Sequence, residues 1–301
     1  MLLDGAFLIE LFKESGRGYT QIPYETVKSM KKDFLMLQNQ IPYSVLQGIF
    51  EIQEGESART TLDLHVICLQ FFDICNPYKK VCNLKENPKH ILHLYYIAFT
   101  KPQPSSSYDC TSMLLKSQNI TIPSATQLRD HGIKLERTSQ RDHSTYVQFL
   151  NDTLGLPFLD LNHIKRCALA NMVVYEEINQ GTNKPIASLC CFYNCLLRTE
   201  EDVAYLSKKE IIANRIGNHK DVIELFSGIC FDLDIDQSSN YLSEASLDIN
   251  RSYQSKLKGW FGRFRRQFCG WPIAVAVSFV AFLNALGSIS LVISHIEKYF
   301  E

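Results

Sequence analysis

Apolar residues recur three and four positions apart through most of the first hundred residues, as in Leu62, Val66, Leu69 and Phe72. That period predicts helices that each bury one face. The predicted helices run from Leu2 to Glu14, from Asp33 to Phe50 with Pro42 interrupting, from Thr60 to Cys75 before Pro77, and from Lys89 to Phe99 after Pro88. From Lys101 to Ser124, a stretch containing KPQPSSS, the period is lost and a surface loop is expected. Ala125 to Asp130 then reads as a short helix closed by Gly132. Ile133 to Glu136, Tyr146 to Leu150 and Pro157 to Leu161 read as short strands, with a turn around Asp152 and Gly155, so a small antiparallel sheet is expected. Helices resume from Asn162 to Glu177 and from Pro185 to Leu197. Thr199 followed by Asp202 is the signature of a helix start, opening Glu200 to Asn214, and Asn218 with Asp221 opens another through Phe231. The expected fold is mainly α with a small antiparallel β element.

The pattern changes at the end of the chain. Pro272 to Ser294 carries no charge over about 23 residues, which as a helix rises roughly 35 Å, against about 30 Å for a hydrocarbon core. A single C-terminal transmembrane helix over 272–294 is therefore expected, with a short tail over 295–301. Arg251, Lys256, Lys258, Arg263, Arg265 and Arg266 precede it with no acid among them, and Lys298 is the one base that follows. By the positive-inside rule the N-terminal part faces the cytoplasm, and the plasma membrane is the expected location. The expected organisation is a helical domain over 1–232, a polar linker over 233–250, a basic aromatic collar over 251–271, then the span and the tail.

Within the collar, Lys256, Lys258, Trp260, Arg263, Arg265, Arg266 and Trp271 interleave bases with aromatics, which suits a helix lying at the level of anionic headgroups. Cys269, two residues before Trp271, is placed for S-acylation. Ala281, Asn284, Ala285 and Ser288 share one face of the expected span, a small polar stripe suited to self-association.

Composition locates the charge. The whole chain has 31 bases and 32 acids, a net of −1, but residues 1–250 carry 24 bases against 30 acids and the collar carries six bases alone. A mildly acidic body argues against nucleic acid as a partner and leaves anionic lipid for the collar. Ten cysteines without a paired Cys-x-x-Cys spacing, many in apolar runs such as Cys68, Cys75, Cys190, Cys191, Cys195 and Cys230, read as core residues in a reducing compartment. Asn119, Asn151 and Asn250 stand in glycosylation acceptor patterns, which points the other way, to an outer face.

Phosphate loops, nucleophile elbows, zinc spacings and calcium loops are not found, so neither a cofactor nor a metal is indicated. Gly16 and Gly18 in SGRGY read as a turn. His90 with His93, and His65 with Cys68, lie three apart and could share helix faces, but a metal needs three or four converging ligands. Glu176 with Glu177 and Glu200 with Glu201 are adjacent and diverge on a helix. No enzyme is indicated.

Four blocks, MLLDGAFLIELF from Met1, DFLMLQNQIPYSVL from Asp33, LGLPFLDLNHIKRCALANMVVYEE from Leu154 and RTEEDVAYLSKKEIIANRIGNHKDVIELF from Arg198, resemble the plant domain of unknown function 247. The collar and terminal apolar stretch resemble that family's ending, and NQIP in its helical context is specific to it. Gln38 stands where the family usually has Glu, Ala6 where it usually has Cys, and the chain looks N-terminally shortened by comparison. The resemblance implies a membrane-associated plant protein whose biochemical activity is not established. Some grass members are implicated as pollen-side determinants of self-incompatibility, which implies a recognition or signalling module. The expected function is thus a membrane-anchored, non-enzymatic interaction protein that presents loops such as Lys101 to Ser124 to a protein partner. The alternatives are a cell-surface ectodomain of opposite topology and an unrecognised enzyme.

Overall fold

A computed structural model describes residues 1–18, 21–55, 58–74, 76–82, 84, 87–100, 121–138, 145–179, 184–231, 233, 242–268 and 278–283. The chain divides into two compact units, 1–250 and 251–301.

In the first unit, α1 (Leu2–Gly16) buries Leu8, Ile9, Leu11 and Phe12, the three-and-four spacing of a core-facing stripe. It packs on α3 (Tyr43–Glu54) and α4 (Ala58–Phe71). Phe12 meets Phe71 at 4.9 Å between ring centroids and Phe72 at 6.4 Å, and Phe72 meets Tyr95 edge-on at 5.8 Å. Each such buried ring contributes on the order of 1.5–3 kcal/mol. Gly5 sits where a Cβ would lie 2.7 Å from Ile49 Cδ1, so the glycine sets how closely α1 approaches α3. Between them, α2 (Tyr24–Asp33) packs on α8 (His163–Ile178), while α5 (Pro77–Val81) and α6 (Ile91–Thr100) pack against α4.

The expected helix from Asp33 to Phe50 is corrected. Its front is the end of α2 followed by turns, and the helix proper begins after Pro42, the N-cap of α3. Proline fixes its own φ and disfavours helix for the residue before it, so the apolar period ran across a real break.

The short α7 (Ala125–Asp130) leads into β1 (Lys134–Arg137), which pairs parallel with β3 (Thr153–Leu156). β2 (Gln148–Leu150) pairs antiparallel with β3 across a two-residue turn at Asn151 and Asp152, both at positive φ (49° and 58°), the conformation that tight hairpins require. β4 (Leu159–Leu161) pairs parallel with β5 (Ile212–Asn214). Among the described residues the expected antiparallel element is thus two separate sheets, ordered β1-β3-β2 and β4-β5, and one of their three pairings is antiparallel. Gly155 lies inside β3, not in the turn.

The remaining core is helical. α8 packs on α9 (Pro185–Leu196), and α9 on α11 (His219–Cys230), where Tyr193 stacks on Phe226 at 5.7 Å. α10 (Glu200–Lys208) ends six residues before Asn214, because Ile212 to Asn214 turns out to be β5. α12 (Ser243–Phe268) occupies ground read from sequence partly as linker: Leu242 and Ile249 are buried, and Asn250 Nδ2 donates to Thr121 O at 3.4 Å.

The expected transmembrane helix is corrected as well. Among the described residues no helix is long and apolar enough to cross a membrane. Within 272–294 the described residues are 278–283, which are helical. α12 has the length, at 26 residues, but it carries the charges of the collar. The rest of 272–294 and the tail lie outside the described residues.

Candidate functional site

The second unit opens inside α12. Positions 253, 257, 260, 264 and 268 are spaced by four, three, four and four residues, so the continuous backbone helix sets Tyr253, Leu257, Trp260, Phe264 and Phe268 along one line. Five of the six bases fall within α12 after the same starting point, at 256, 258, 263, 265 and 266, off that line. Lys256 is half-buried and Lys258 exposed. For Trp260, Arg263, Arg265 and Arg266 the structure describes the backbone only, and Cys269 and Trp271 lie outside the described residues. Ala281 is helical and exposed; Asn284, Ala285 and Ser288 lie outside.

The buried ionisable groups of the first unit act at helix starts. Asp202, completely buried, is the third residue of α10. Its Oδ2 accepts from Thr199 N at 2.9 Å and Thr199 Oγ1 at 2.8 Å, closing the expected capping box, while its Oδ1 accepts from Thr126 N at 2.8 Å and Thr126 Oγ1 at 2.7 Å. One carboxylate therefore caps α10 and α7 together. Burial pushes its pKa upward, but the bonds from Thr126, Thr199 and Ser124 outweigh that and hold it below the ordinary value.

Glu176 does the same work for α9. Lys184 at its N-cap makes no side-chain cap, and Glu176, reaching from α8, accepts from Ile186 N at 2.9 Å and Ala187 N at 2.8 Å, with Tyr96 as a third partner. Burial prevails over these bonds and raises its pKa to about 7. Its neighbour Glu177 points away to Lys184 Nζ at 2.7 Å, so the adjacent acids diverge as expected from a helix.

The histidine pair also caps a helix. His90 Nδ1 accepts from His93 N at 3.1 Å, and His93 Nδ1 accepts from Lys89 N at 3.0 Å. Gln40 completes the set: its Oε1 accepts from Leu92 N at 3.0 Å, and its Nε2 donates to Phe34 O and Met36 O. The Gln of NQIP thus ties the turn before α3 to the start of α6. Both imidazoles must be neutral to accept, and burial lowers His90 and brings His93 to about 4. His65, against the Tyr43 ring at 5.3 Å, is also brought to about 4 by burial. Among the described residues no group of three or more His, Cys, Asp or Glu is placed to hold a metal ion.

At the surface, Arg129, Glu201, Ala204, Tyr205, Lys208 and Lys209 line an open groove of about 540 Å³ between α7 and α10. Arg129 lies over the Tyr205 ring at 5.2 Å and pairs with Glu201 at 3.1 Å. Of the three glycosylation patterns, Asn151 sits exposed at the β2–β3 turn, Asn250 is held by Thr121 O, and Asn119 lies outside the described residues. From Lys101 to Ser124 the described part is 121–124, where Ile122 is buried and Ser124 caps α7. Cys68 and Cys190 are buried as expected, but Cys191, Cys195 and Cys230 are only partly so, and Cys75 lies outside.

Sequence reasoning found the Thr199 and Asp202 box but missed the second helix that Asp202 caps, 76 residues away. It also missed the roles of Glu176 and Gln40. A charged residue on an otherwise apolar helix face, as Glu176 is between Met172, Val173 and Tyr175, was the available signal.

The family model described as a plant protein of unknown function, DUF247, matches residues 1–286. The UPF0481 protein At3g47200 of Arabidopsis thaliana is 28% identical over 331 aligned residues, covering 99% of this chain and 68% of that protein. The putative UPF0481 protein At3g02645 of the same plant is 24% identical over 187 residues, covering 60% of this chain and 35% of that protein. No solved structure matches.

Proposed function

The chain belongs to the DUF247 family of plant proteins of unknown function, and on that footing we propose that it is a non-enzymatic recognition module that works by protein interaction at an anionic membrane surface. The observation that carries the reading is α12, one uninterrupted helix through Phe268. Positions 253, 257, 260, 264 and 268 follow one line, its collar portion is rich in bases, and no acid lies between 251 and 271. Such a helix lies in the interface plane with its apolar line toward the acyl boundary, and each base near the surface adds about 1 kcal/mol with anionic lipid. The interior supports the non-enzymatic half, since Asp202 and Glu176 spend their carboxylate oxygens on helix starts. The protein partner would meet the helical domain of the first unit. Self-recognition, as the resemblance to grass members implies, is one setting in which such a module serves.

Co-sedimentation of the full chain with phosphatidylcholine vesicles, with and without phosphatidylserine, tests the lipid half. Binding is expected to need the anionic lipid, to weaken with salt, and to fall when Lys256, Lys258, Arg263, Arg265 and Arg266 are changed to Gln. Equal binding to neutral vesicles, or none at all, would refute it. Proximity labelling in plant tissue tests the protein half; labelling no richer than that of an unrelated protein sharing the same compartment would count against it.

One observation favours a second reading, an extracellular placement of the first unit. Asn151 is exposed at a hairpin turn, where a glycan would meet no obstruction from burial. A mass decrease of the Asn151 peptide on glycosidase treatment would establish that placement.

A further inference from the structure

One face of α10 is turned toward the surface groove. Glu201, Ala204, Tyr205 and Lys208 follow the i, i+3, i+4, i+7 spacing that shares a helix face. Arg129 faces them from α7, and together with Lys209 they line the opening of about 540 Å³. The walls are fixed in advance. Asp202 caps α7 through Thr126 and α10 through Thr199, so the two helices keep their spacing without a ligand. A preformed site spares its ligand the cost of ordering it.

The charges along the groove are unevenly matched. Arg129 Nε donates to Asp130 Oδ1 at 2.8 Å, Arg129 Nη2 donates to Glu201 Oε1 at 3.1 Å, and the guanidinium lies 5.2 Å from the Tyr205 ring centroid. Those contacts occupy Asp130 and Glu201. Lys208 and Lys209 are exposed and, among the described residues, make no ion pair. Glu210 follows them in sequence but does not line the groove. The groove therefore offers apolar surface at Ala204 and Tyr205, with two uncompensated ammonium groups about one turn further along α10.

We propose that this groove is where the first unit holds its protein partner, and that the occupant is an acidic peptide segment carrying an aromatic or aliphatic side chain. The inference rests on the protein-interaction half of the function proposed above and names its surface. The segment's apolar side chain lies over Ala204 and the Tyr205 ring, and its carboxylates reach Lys208 and Lys209. Charge complementarity selects this occupant. An open groove leaves a small ligand largely in water, whereas small-molecule sites bury most of theirs. A concave surface does not meet a flat bilayer, and the 24 bases against 30 acids of residues 1–250 disfavour nucleic acid. Arg129, already committed to two acids, shapes the wall, so the reading of charge falls to the two lysines.

The test uses the full chain and two fluorescent hexapeptides, one of five glutamates and a phenylalanine, the other with glutamines in place of the glutamates. By fluorescence polarisation the acidic peptide is expected to bind, to weaken with salt, and to bind about tenfold more tightly than the neutral one. Lys208→Glu combined with Lys209→Glu should lower its affinity by about tenfold, and Tyr205→Ala several-fold. Carbodiimide should couple the bound peptide to Lys208 and Lys209 ahead of the exposed Lys32, as mapped by mass spectrometry. No binding of the acidic peptide, equal binding of the neutral one, or coupling spread evenly over the exposed lysines would each overturn the proposal. So would a lysine variant that loses anionic vesicles but keeps the peptide, which makes the groove a lipid contact, or one that abolishes self-association of the chain, which makes a second copy the occupant. The two wild-type peptide measurements decide the matter even if a variant fails to fold. Rich proximity labelling that the lysine variant leaves unchanged would overturn the groove and leave the interaction reading standing; wild-type labelling at background would overturn that reading itself.

Discussion

Replacing Asp202 by Asn removes one oxygen and one charge from a group that closes two helices, and the structure sets the cost. Wild-type Asp202 accepts four hydrogen bonds, two on each oxygen. An asparagine keeps one oxygen and presents an NH2 where the other stood, facing either Thr126 N or Thr199 N. The threonine hydroxyl on that side can turn to accept, but the backbone N–H cannot. A buried donor left unsatisfied costs about 1–3 kcal/mol, and losing the negative charge at two helix N-termini adds about 0.3–1 kcal/mol at each. The expected loss is therefore about 2–5 kcal/mol, which at this domain size lowers Tm by about 4–20 °C. Urea unfolding followed by circular dichroism measures it, with Asp130→Asn as a surface control expected to stay within about 0.5 kcal/mol. The pH dependence supplies a second check. A carboxylate whose folded pKa is depressed contributes stability above its unfolded value near 3.8 and loses it as pH falls through the lower folded value. The gap between wild type and Asp202→Asn should thus hold from pH 7 down to about 4 and narrow below. A loss under about 1 kcal/mol, or a gap that is already narrowing at pH 6, would refute the double cap.

Glu176 has the opposite sign: its pKa is raised to about 7, so its contribution is present below the unfolded value near 4.5 and fades as pH rises through 7, and the stability of wild type relative to Glu176→Gln should fall by up to about 3 kcal/mol between pH 4.5 and 8 in thermal melts. His65, lowered to about 4, costs stability as pH falls from 6.5 toward 4, so His65→Leu should gain on wild type over that interval, read by the same melts; parallel curves would remove the burial explanation. Gly217 adopts φ 153°, and a Cβ there would meet Asp221 Oδ2, the acceptor for Asn218 N at the start of α11; Gly217→Ala should cost about 1–3 kcal/mol by chemical denaturation.

What the sequence revealed depended on range. The helix starts at Ser124, Asn162, Thr199 and Asn218 are local, since the cap and its partner lie within three residues, and helices were expected beside all four. The break at Pro42 was visible, yet the period on either side of it masked the turn. Pairings between distant segments left no local trace. β5 was absorbed into a helix because Ile211, Ile212 and Ala213 continue the apolar period of α10, and only contact with β4 makes them a strand. The same holds for the candidate site. The run of bases is plain in the sequence, whereas the reach of Asp202 to Thr126 depends on how α7 and α10 pack.

The parallel pairing of β4 with β5 bears on how the chain is made. The two strands are separated by roughly fifty residues holding α8, α9 and α10, and synthesis at about 5–20 residues per second needs about 3–10 s to cover them. For that interval the backbone groups of β4 have emerged without the strand they will bond. A nascent chain of this kind depends on α8 forming early over Leu159 and Leu161, or on a chaperone, to keep that edge from pairing elsewhere.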